Sequence, residues 1–267
     1  MASSELWPAL CRETAAGNAP WSPLARALAE QHKEASPVFA VLPLDRPAAL
    51  SATPDAETRL QEQGILGPAE AERLRSLKLP KRRREWLGGR LAAKWAVTRL
   101  LGCDDMPAIA NDEQGQPFVE LPAPLARTPD APVHVSISHS GAFAAALAAH
   151  VPCGLDVQAF SPQLAKVRSY FLTEAEAVLA PRLEEELAWL ALVWSAKEAI
   201  KKCRYAHSPT FMERIRVRGL EGDPQTEAAI LRCCLEEGGE LAVLVMLGQE
   251  HALALCLDDK PKSVPKQ

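Results

Sequence analysis

The 267-residue chain has no C-x-x-C pair, no apolar run long enough to span a bilayer, no basic-then-apolar leader and no excess of positive charge. Each absence removes a class. Without about 20 consecutive apolar residues no membrane-spanning helix is predicted, and without a leader the chain is expected in the cytoplasm. The cysteines, at 11, 103, 153, 203, 233, 234 and 256, are odd in number and lack paired spacing. Neither a disulfide framework nor a zinc site is therefore predicted, and the thiols are expected free and mostly buried. Against 34 aspartates and glutamates stand 30 lysines and arginines, a net charge of −4. That balance speaks against wholesale nucleic-acid binding and still permits a local basic patch that meets a phosphate or an acidic protein. What the chain does have is 48% hydrophobic residues, ample for a buried core.

Periodicity and turn chemistry divide the chain into a peripheral extension over 1–35, an α+β half over 36–150, a second over 151–258 and a disordered tail over 259–267. In the extension Leu24 to His32 reads as a short helix. Val38 to Leu42 reads as a first strand, followed by a Pro-, Ala- and Asp-rich loop through Asp55. Pro68 suits the first turn of a helix from Ala69 to Leu77. A longer helix is predicted from Lys81 to Leu101, with Leu87, Leu91, Trp95 and Thr98 inward and Gly102 as its stop. From Pro132 the pattern becomes alternation: Val133, Val135 and Ile137 against His134, Ser136 and Ser138, then a turn at Ser140-Gly141 and a second strand to Ala149. Val151 to Gln158 reads as a strand. Thr173 reads as the N-cap of a helix, with Glu174 and Glu176 in its first turn, that leads on toward Trp194. Phe211 to Arg218, Ala228 to Leu235, Leu241 to Leu247 and Ala252 to Leu257 read as strands of a closing sheet.

Charge stands where such a fold would bury apolar surface. Leu183, Leu187, Leu190, Ala191 and Trp194 recur at three- and four-residue intervals as one helix face, and the next positions on it are Glu198 and then Lys201 or Lys202. Charges so near a core cost free energy unless they meet a partner, a metal or a phosphate. A helix running out into solvent, with lysines at the favourable end of its dipole, is the plainer reading. Arg83, Arg90 and Lys94 fall in one narrow sector of the Lys81–Leu101 helix at about 100° per residue, either lining an anion site or forming a solvated basic face. The run Lys81-Arg82-Arg83-Arg84 opposes the helix dipole, which a nearby anion would explain. Asp156 and Gln158, two apart on a strand, share a face that is either exposed or makes Asp156 an oxygen ligand for a hard cation. The turn Ser138-His139-Ser140-Gly141 gathers hydroxyls, an imidazole and accessible backbone, although a lone His in a turn also decorates surfaces. Ala93-Lys94-Trp95-Ala96-Val97 echoes Ala196-Lys197-Glu198-Ala199-Ile200. If that echo is structural, two similar halves meet near His150 and only the second carries a carboxylate at the shared position.

Taken together, Ser136-Ile137-Ser138-His139-Ser140, Gly154-Leu155-Asp156-Val157, Phe171 to Glu176 and Trp194-x-x-Lys197-Glu198-Ala199-x-x-Lys202 resemble the 4′-phosphopantetheinyl transferases of the surfactin-synthetase-activating (Sfp) type. The resemblance extends from Val38 to Leu257, and Gly115-Gln116-Pro117 is similar to the family's Gly-Lys-Pro element. It implies an α+β fold of two similar halves related by a pseudo-twofold within a monomer, with coenzyme A between them and Mg²⁺ as cofactor. It also implies transfer of the phosphopantetheine arm from coenzyme A to a serine of an acyl- or peptidyl-carrier protein, releasing adenosine 3′,5′-bisphosphate, with no nucleic-acid or membrane partner. The metal would lie at Asp156 and Glu198 with Gln158 beside them, Glu198 or a water it orients would be the base, and Lys202 would contact the phosphates. Coenzyme A would further meet Ser138, His139, Gln116, Pro117 and one or more of Arg83, Arg84, Arg90 and Lys94.

Two departures from the family pattern bear on affinity. Gln158 stands where many members have a second acid, and Gln116 replaces the lysine of Gly-Lys-Pro; an amide oxygen or a water can complete the metal shell. Two other classes of function are weighed. Against a non-catalytic module that binds coenzyme A or a carrier stand the retained Glu198 and Lys202, and a turnover assay decides between them. A hydrolase built on Ser138 or Ser140 with His139 lacks a G-x-S-x-G elbow, and adjacent side chains on a strand face opposite ways.

Overall fold

The computed structural model describes residues 6–103, 106–120, 132–180, 186–208 and 212–259. In chain order the first half comprises Leu6–Gly17 (α1), Ser22–Gln31 (α2), Val38–Pro43 (β1), Asp45–Ala52 (α3), Ala56–Glu62 (α4), Pro68–Ser76 (α5), Pro80–Leu101 (α6) and two hairpins, Ala108–Asn111 (β2) with Pro117–Glu120 (β3) and His134–Ser140 (β4) with Phe143–Ala149 (β5). The second half comprises Cys153–Ala159 (β6), Pro162–Val167 (α7), Glu174–Ala177 (α8), Glu186–Arg204 (α9) and the strands Ile215–Glu221 (β7), Ala229–Leu235 (β8), Glu240–Leu247 (β9) and His251–Leu257 (β10). The two larger sheets run β1-β5-β4 and β6-β10-β9-β8-β7, β2 and β3 form a small third sheet, and all are antiparallel, so the fold is α+β.

Each of the two larger sheets carries a long helix on one face and meets the other on its second face. Residues 144–149 of β5 are fully buried, and all but Leu147 are alanine, because α6 packs on one side and β6 and β10 on the other. Small residues on α6 allow that approach. A Cβ on Gly88 would lie 2.4 Å from Leu44, and one on Gly89 would lie 2.8 Å from Ile137. The second helix sits closer still: a Cβ on Gly154 would fall 1.8 Å from the carbonyl oxygen of Ala199, so β6 can meet α9 only with glycine there.

The same local arrangement of buried charges recurs in both halves. Lys94 of α6, 1% exposed, meets Glu70 at 2.8 Å and donates to the carbonyl of Pro107 at 2.7 Å. Glu70 also accepts from the N–H groups of Gly67 and Ile109. In the second half Lys197 of α9, 0% exposed, meets Glu176 at 2.8 Å and donates to the carbonyl of Phe171 at 2.7 Å. Glu176 accepts from the N–H groups of Thr173 and Val217. Each glutamate thus closes the first turn of a short helix, ties it to a lysine of the long helix and pins a following strand. The Ala-Lys echo has this physical content, and the residue after the lysine is Trp95 in one half and Glu198 in the other.

Several expectations need correction. The N-terminal segment is not peripheral: Leu10, Trp21, Leu24 and Leu28 are buried in the cores, and Asn18 brackets the free edge of β1 by donating to Phe39 O and accepting from the Val41 N–H. The stretch through Asp55 is helical in α3 and begins α4. The helix begun at Thr173 does not run through to Trp194; α8 ends at Ala177 and α9 starts at Glu186, with Pro181 between them in the sequence. The strand expected from Phe211 starts at Ile215 after a 3₁₀ turn. Leu183, Phe211 and the tail beyond Asp259 lie outside the described residues. Cys153, Cys233 and Cys256 are buried free thiols and the other four cysteines are half-buried. None of the described helices is long and apolar enough to cross a membrane.

Candidate active site at the seam between the sheets

Strand β4 turns Val135 and Ile137 toward α6, which sends Ser136, Ser138 and Ser140 toward β6. The two strands belong to different sheets and share no backbone ladder. Instead the three hydroxyls accept from alternate β6 amides: Ser136 from Leu155 at 2.9 Å, Ser138 from Val157 at 3.3 Å and Ser140 from Ala159 at 3.1 Å. These serines join the halves, and Ser138 is occupied by β6 rather than presented to a ligand. Ser136→Ala would leave the Leu155 N–H buried without a partner, and is expected to lower unfolding free energy in urea by about 1–3 kcal/mol. Ser140→Ala should cost less, because Ala159 is only half-buried.

The charged groups gather at the middle of this seam. Ser138 donates to Asp156 Oδ1 at 2.8 Å, and Lys202, on the last turn of α9, donates to the same oxygen at 2.8 Å. The ammonium also takes the carbonyls of Leu155 at 2.8 Å and Ile137 at 3.4 Å, one from each sheet. One turn earlier on α9, Glu198 is half-buried with Lys201 3.7 Å away. Burial pushes the Glu198 carboxyl above the usual range; Lys201 and Lys202 pull it down, and the negative charge of Asp156 pushes it further up. Gln158 follows Asp156 on the α9-facing side of β6 and spends its Nε2 on the carbonyl of Ala159 at 3.0 Å. A cation fits here: two carboxylates feel each other's charge, and an ammonium already sits on one of them. Among the described residues no group of three or more His, Cys, Asp or Glu could form an all-protein metal cage. That donor set suits Mg²⁺, which is held by one or two carboxylates together with substrate phosphate and water.

The basic residues of α6 divide by face. His139 Nδ1 lies 3.9 Å from Glu85, and burial holds the ring below its usual pKa; Glu85 opposes that shift, Lys202 and Arg82 add to it, and Asp156 opposes it. Arg82 and Glu85 therefore border the seam, and the sequence pattern did not single them out. Arg83 points the other way: its guanidinium holds the carbonyls of Ser51 and Leu74 and the carboxylate of Glu57. Lys94 is sealed against Glu70, and Arg90 bonds Asn111 and stacks on Trp86. The sector of Arg83, Arg90 and Lys94 is thus a packing face toward α3–α5 and β2, not an anion site on the seam. Arg84 is half-buried with its Nε unpartnered. Gln116 and Pro117 face Lys202 across a cavity of about 210 Å³, and a neighbouring one of about 280 Å³ is bounded by Gln116, His134, Lys202 and Cys203. With all three β4 serine hydroxyls accepting from β6, and His139 on the opposite face of the strand, a Ser/His nucleophile is not assembled.

Residues 152–256 match the family model of the 4′-phosphopantetheinyl transferase superfamily. The matched segment contains Asp156, Gln158, Glu198 and Lys202 and leaves out α6, β4 and the Gly115-Gln116-Pro117 turn. A 2.31 Å crystal structure of a holo-(acyl-carrier-protein) synthase from Bacillus anthracis strain Ames, in complex with CoA (3′,5′-ADP), is 26% identical over 42% of this chain and 92% of its own, with a TM-score of 0.33. No curated protein matches the chain. All four of these polar residues lie on two elements, β6 and α9, whose contact is fixed by Gly154.

Proposed function

We propose that the protein is a 4′-phosphopantetheinyl transferase of the Sfp type, a cytoplasmic monomer that moves the phosphopantetheine arm of coenzyme A to a serine of an apo acyl- or peptidyl-carrier protein. The observation that carries this reading is the meeting of Asp156, Glu198 and Lys202 at the seam, inside the segment that matches the transferase family. The bond that forms joins the carrier serine Oγ to the phosphorus of the pantetheine phosphate. The bond that breaks is the diphosphate P–O bond, and adenosine 3′,5′-bisphosphate leaves with the electron pair. Glu198 takes the serine proton directly or through a water, a contribution of about 10²- to 10⁴-fold for an aligned base. Lys202 exchanges a carbonyl or Asp156 for a phosphate oxygen and stabilises charge on the leaving group. Mg²⁺ held by Asp156 and Glu198 would neutralise the diphosphate oxygens. His139, Gln116 and Pro117 border the space where the nucleotide end would lie.

Mass spectrometry of an apo carrier incubated with the protein, coenzyme A and Mg²⁺ tests the reading. A mass gain of one phosphopantetheine supports it; binding without any gain would leave only a coenzyme A or carrier module. Gln158 allows a finer test. It adds no charge beside the metal, so Gln158→Glu is expected to lower the Mg²⁺ concentration for half-maximal rate several-fold, with little change at saturating metal. An unchanged metal dependence would mean that residue 158 does not face the metal.

A further inference from the structure

A cavity of about 510 Å³ lies within the first half, between the N-terminal end of α5, the middle of α6 and the β2–β3 hairpin. Pro68, Trp86, Ala108 and Ala110 give it apolar walls, and Arg90 is set into it. Arg90 is 7% exposed and its Nε is buried without a hydrogen-bond partner. Its described contacts are Asn111 Oδ1 and the ring of Trp86, whose centroid lies 5.1 Å from the guanidinium carbon. Neither is a counter-ion. Glu70, the acid whose charge Arg90 feels, is already committed to Lys94 and to two backbone N–H groups. Burial accordingly draws the guanidinium down to about 10. Buried guanidinium groups are ordinarily matched by an anion.

We propose that this cavity binds a small organic monocarboxylate with an apolar body, its carboxylate on Arg90 and its body against Trp86 and the alanines of β2. The planar fork of arginine matches a carboxylate, and a mostly apolar pocket with one fixed polar group suits such a ligand. Charge selects a monoanion. Lys94 neutralises Glu70, and Glu120 and Arg73 carry opposite signs on the lining, so Arg90 is left over. A phosphate dianion would exceed that one charge and face both acids. The first turn of α5, on the same wall, adds to the attraction for an anion. The site is separate from the seam: Arg90 stands five residues beyond Glu85, about 140° around α6, and Glu85 faces His139.

The test uses the whole chain, titrated calorimetrically with benzoate, phenylacetate and octanoate, with benzamide and inorganic phosphate as controls. At least one carboxylate is expected to bind, and benzamide to bind about tenfold more weakly than benzoate or not at all. Arg90→Met should abolish binding. Because that variant alters a buried group, Ala110→Leu serves beside it: it fills the cavity from β2 with Arg90 intact, and should weaken binding by about tenfold or more. Saturating adenosine 3′,5′-bisphosphate should leave carboxylate binding unchanged. The proposal is overturned if no carboxylate binds, if benzamide binds as well as benzoate, if phosphate is preferred, if Ala110→Leu binds like the wild type, or if the nucleotide displaces the probe. None of these results depends on carrier modification, so the transferase reading stands or falls separately.

Discussion

Glu198→Gln is expected to lower the rate of carrier modification by about 10²- to 10⁴-fold while the circular dichroism and melting temperature stay near those of the wild type. The amide keeps the shape of the side chain, so α9 still packs on β6 as before. It can neither accept the serine proton nor bring charge to the cation beside Asp156. Asp156→Asn is the companion variant, because Asp156 also accepts from Ser138 and Lys202 and removing it altogether would disturb the seam. Modification by Glu198→Gln at a near wild-type rate would sink the assignment of both base and metal ligand.

The largest stability effect is expected at the residue just before it. Lys197→Met strands the carboxylate of Glu176, which is 1% exposed, and should destabilise the fold by about 3–5 kcal/mol. Adding Glu176→Gln to Lys197→Met should recover part of that loss, since no buried charge is then left alone. Burial alone would raise the Glu176 carboxyl, but hydrogen bonds from Lys197 and the N–H groups of Val217 and Thr173 outweigh it and hold it below the usual glutamate range. A folded-state pKa below the unfolded one means the unfolded chain binds more protons as pH falls between the two values. The stability from Glu176 is therefore complete above about pH 4.3 and is lost as pH falls through the folded value. Urea titrations should show a flatter acid limb for Glu176→Gln than for the wild type; parallel limbs would place the acid sensitivity elsewhere.

Neighbouring letters of one string thus carry different burdens, which marks how far the sequence could be read. The long helix ended by Gly102, the Val-x-Val-x-Ile alternation of β4 and the charged end of α9 follow from local periodicity, and all are present. Angular spacing also put Arg83, Arg90 and Lys94 in one sector, but an angle does not say what lies opposite it. The face that meets β4 was signalled instead by the small residues Gly89, Ala92, Ala93 and Ala96, a stripe that Glu85 shares. The packing of α2 depends on β9, more than 200 residues away in the chain, and no local pattern reports that. Ser136 and Ser138 are legible as a shared face, whereas the Ser140-Gly141 turn signal hides that Ser140 ends the same strand face. Their use as acceptors required β6, which only the folded chain supplies.

A rung made from a hydroxyl differs from a backbone rung in one respect. Rotation about a single side-chain bond releases it, with neither strand displaced. The amides of Leu155, Val157 and Ala159 can therefore lose protection singly, as each serine turns, whereas amides held in the backbone ladder of β6 with β10 open only when those strands part. Deuterium uptake at these three positions would report how often each serine rung opens, and a molecule that clamps the two halves together would slow all three at once.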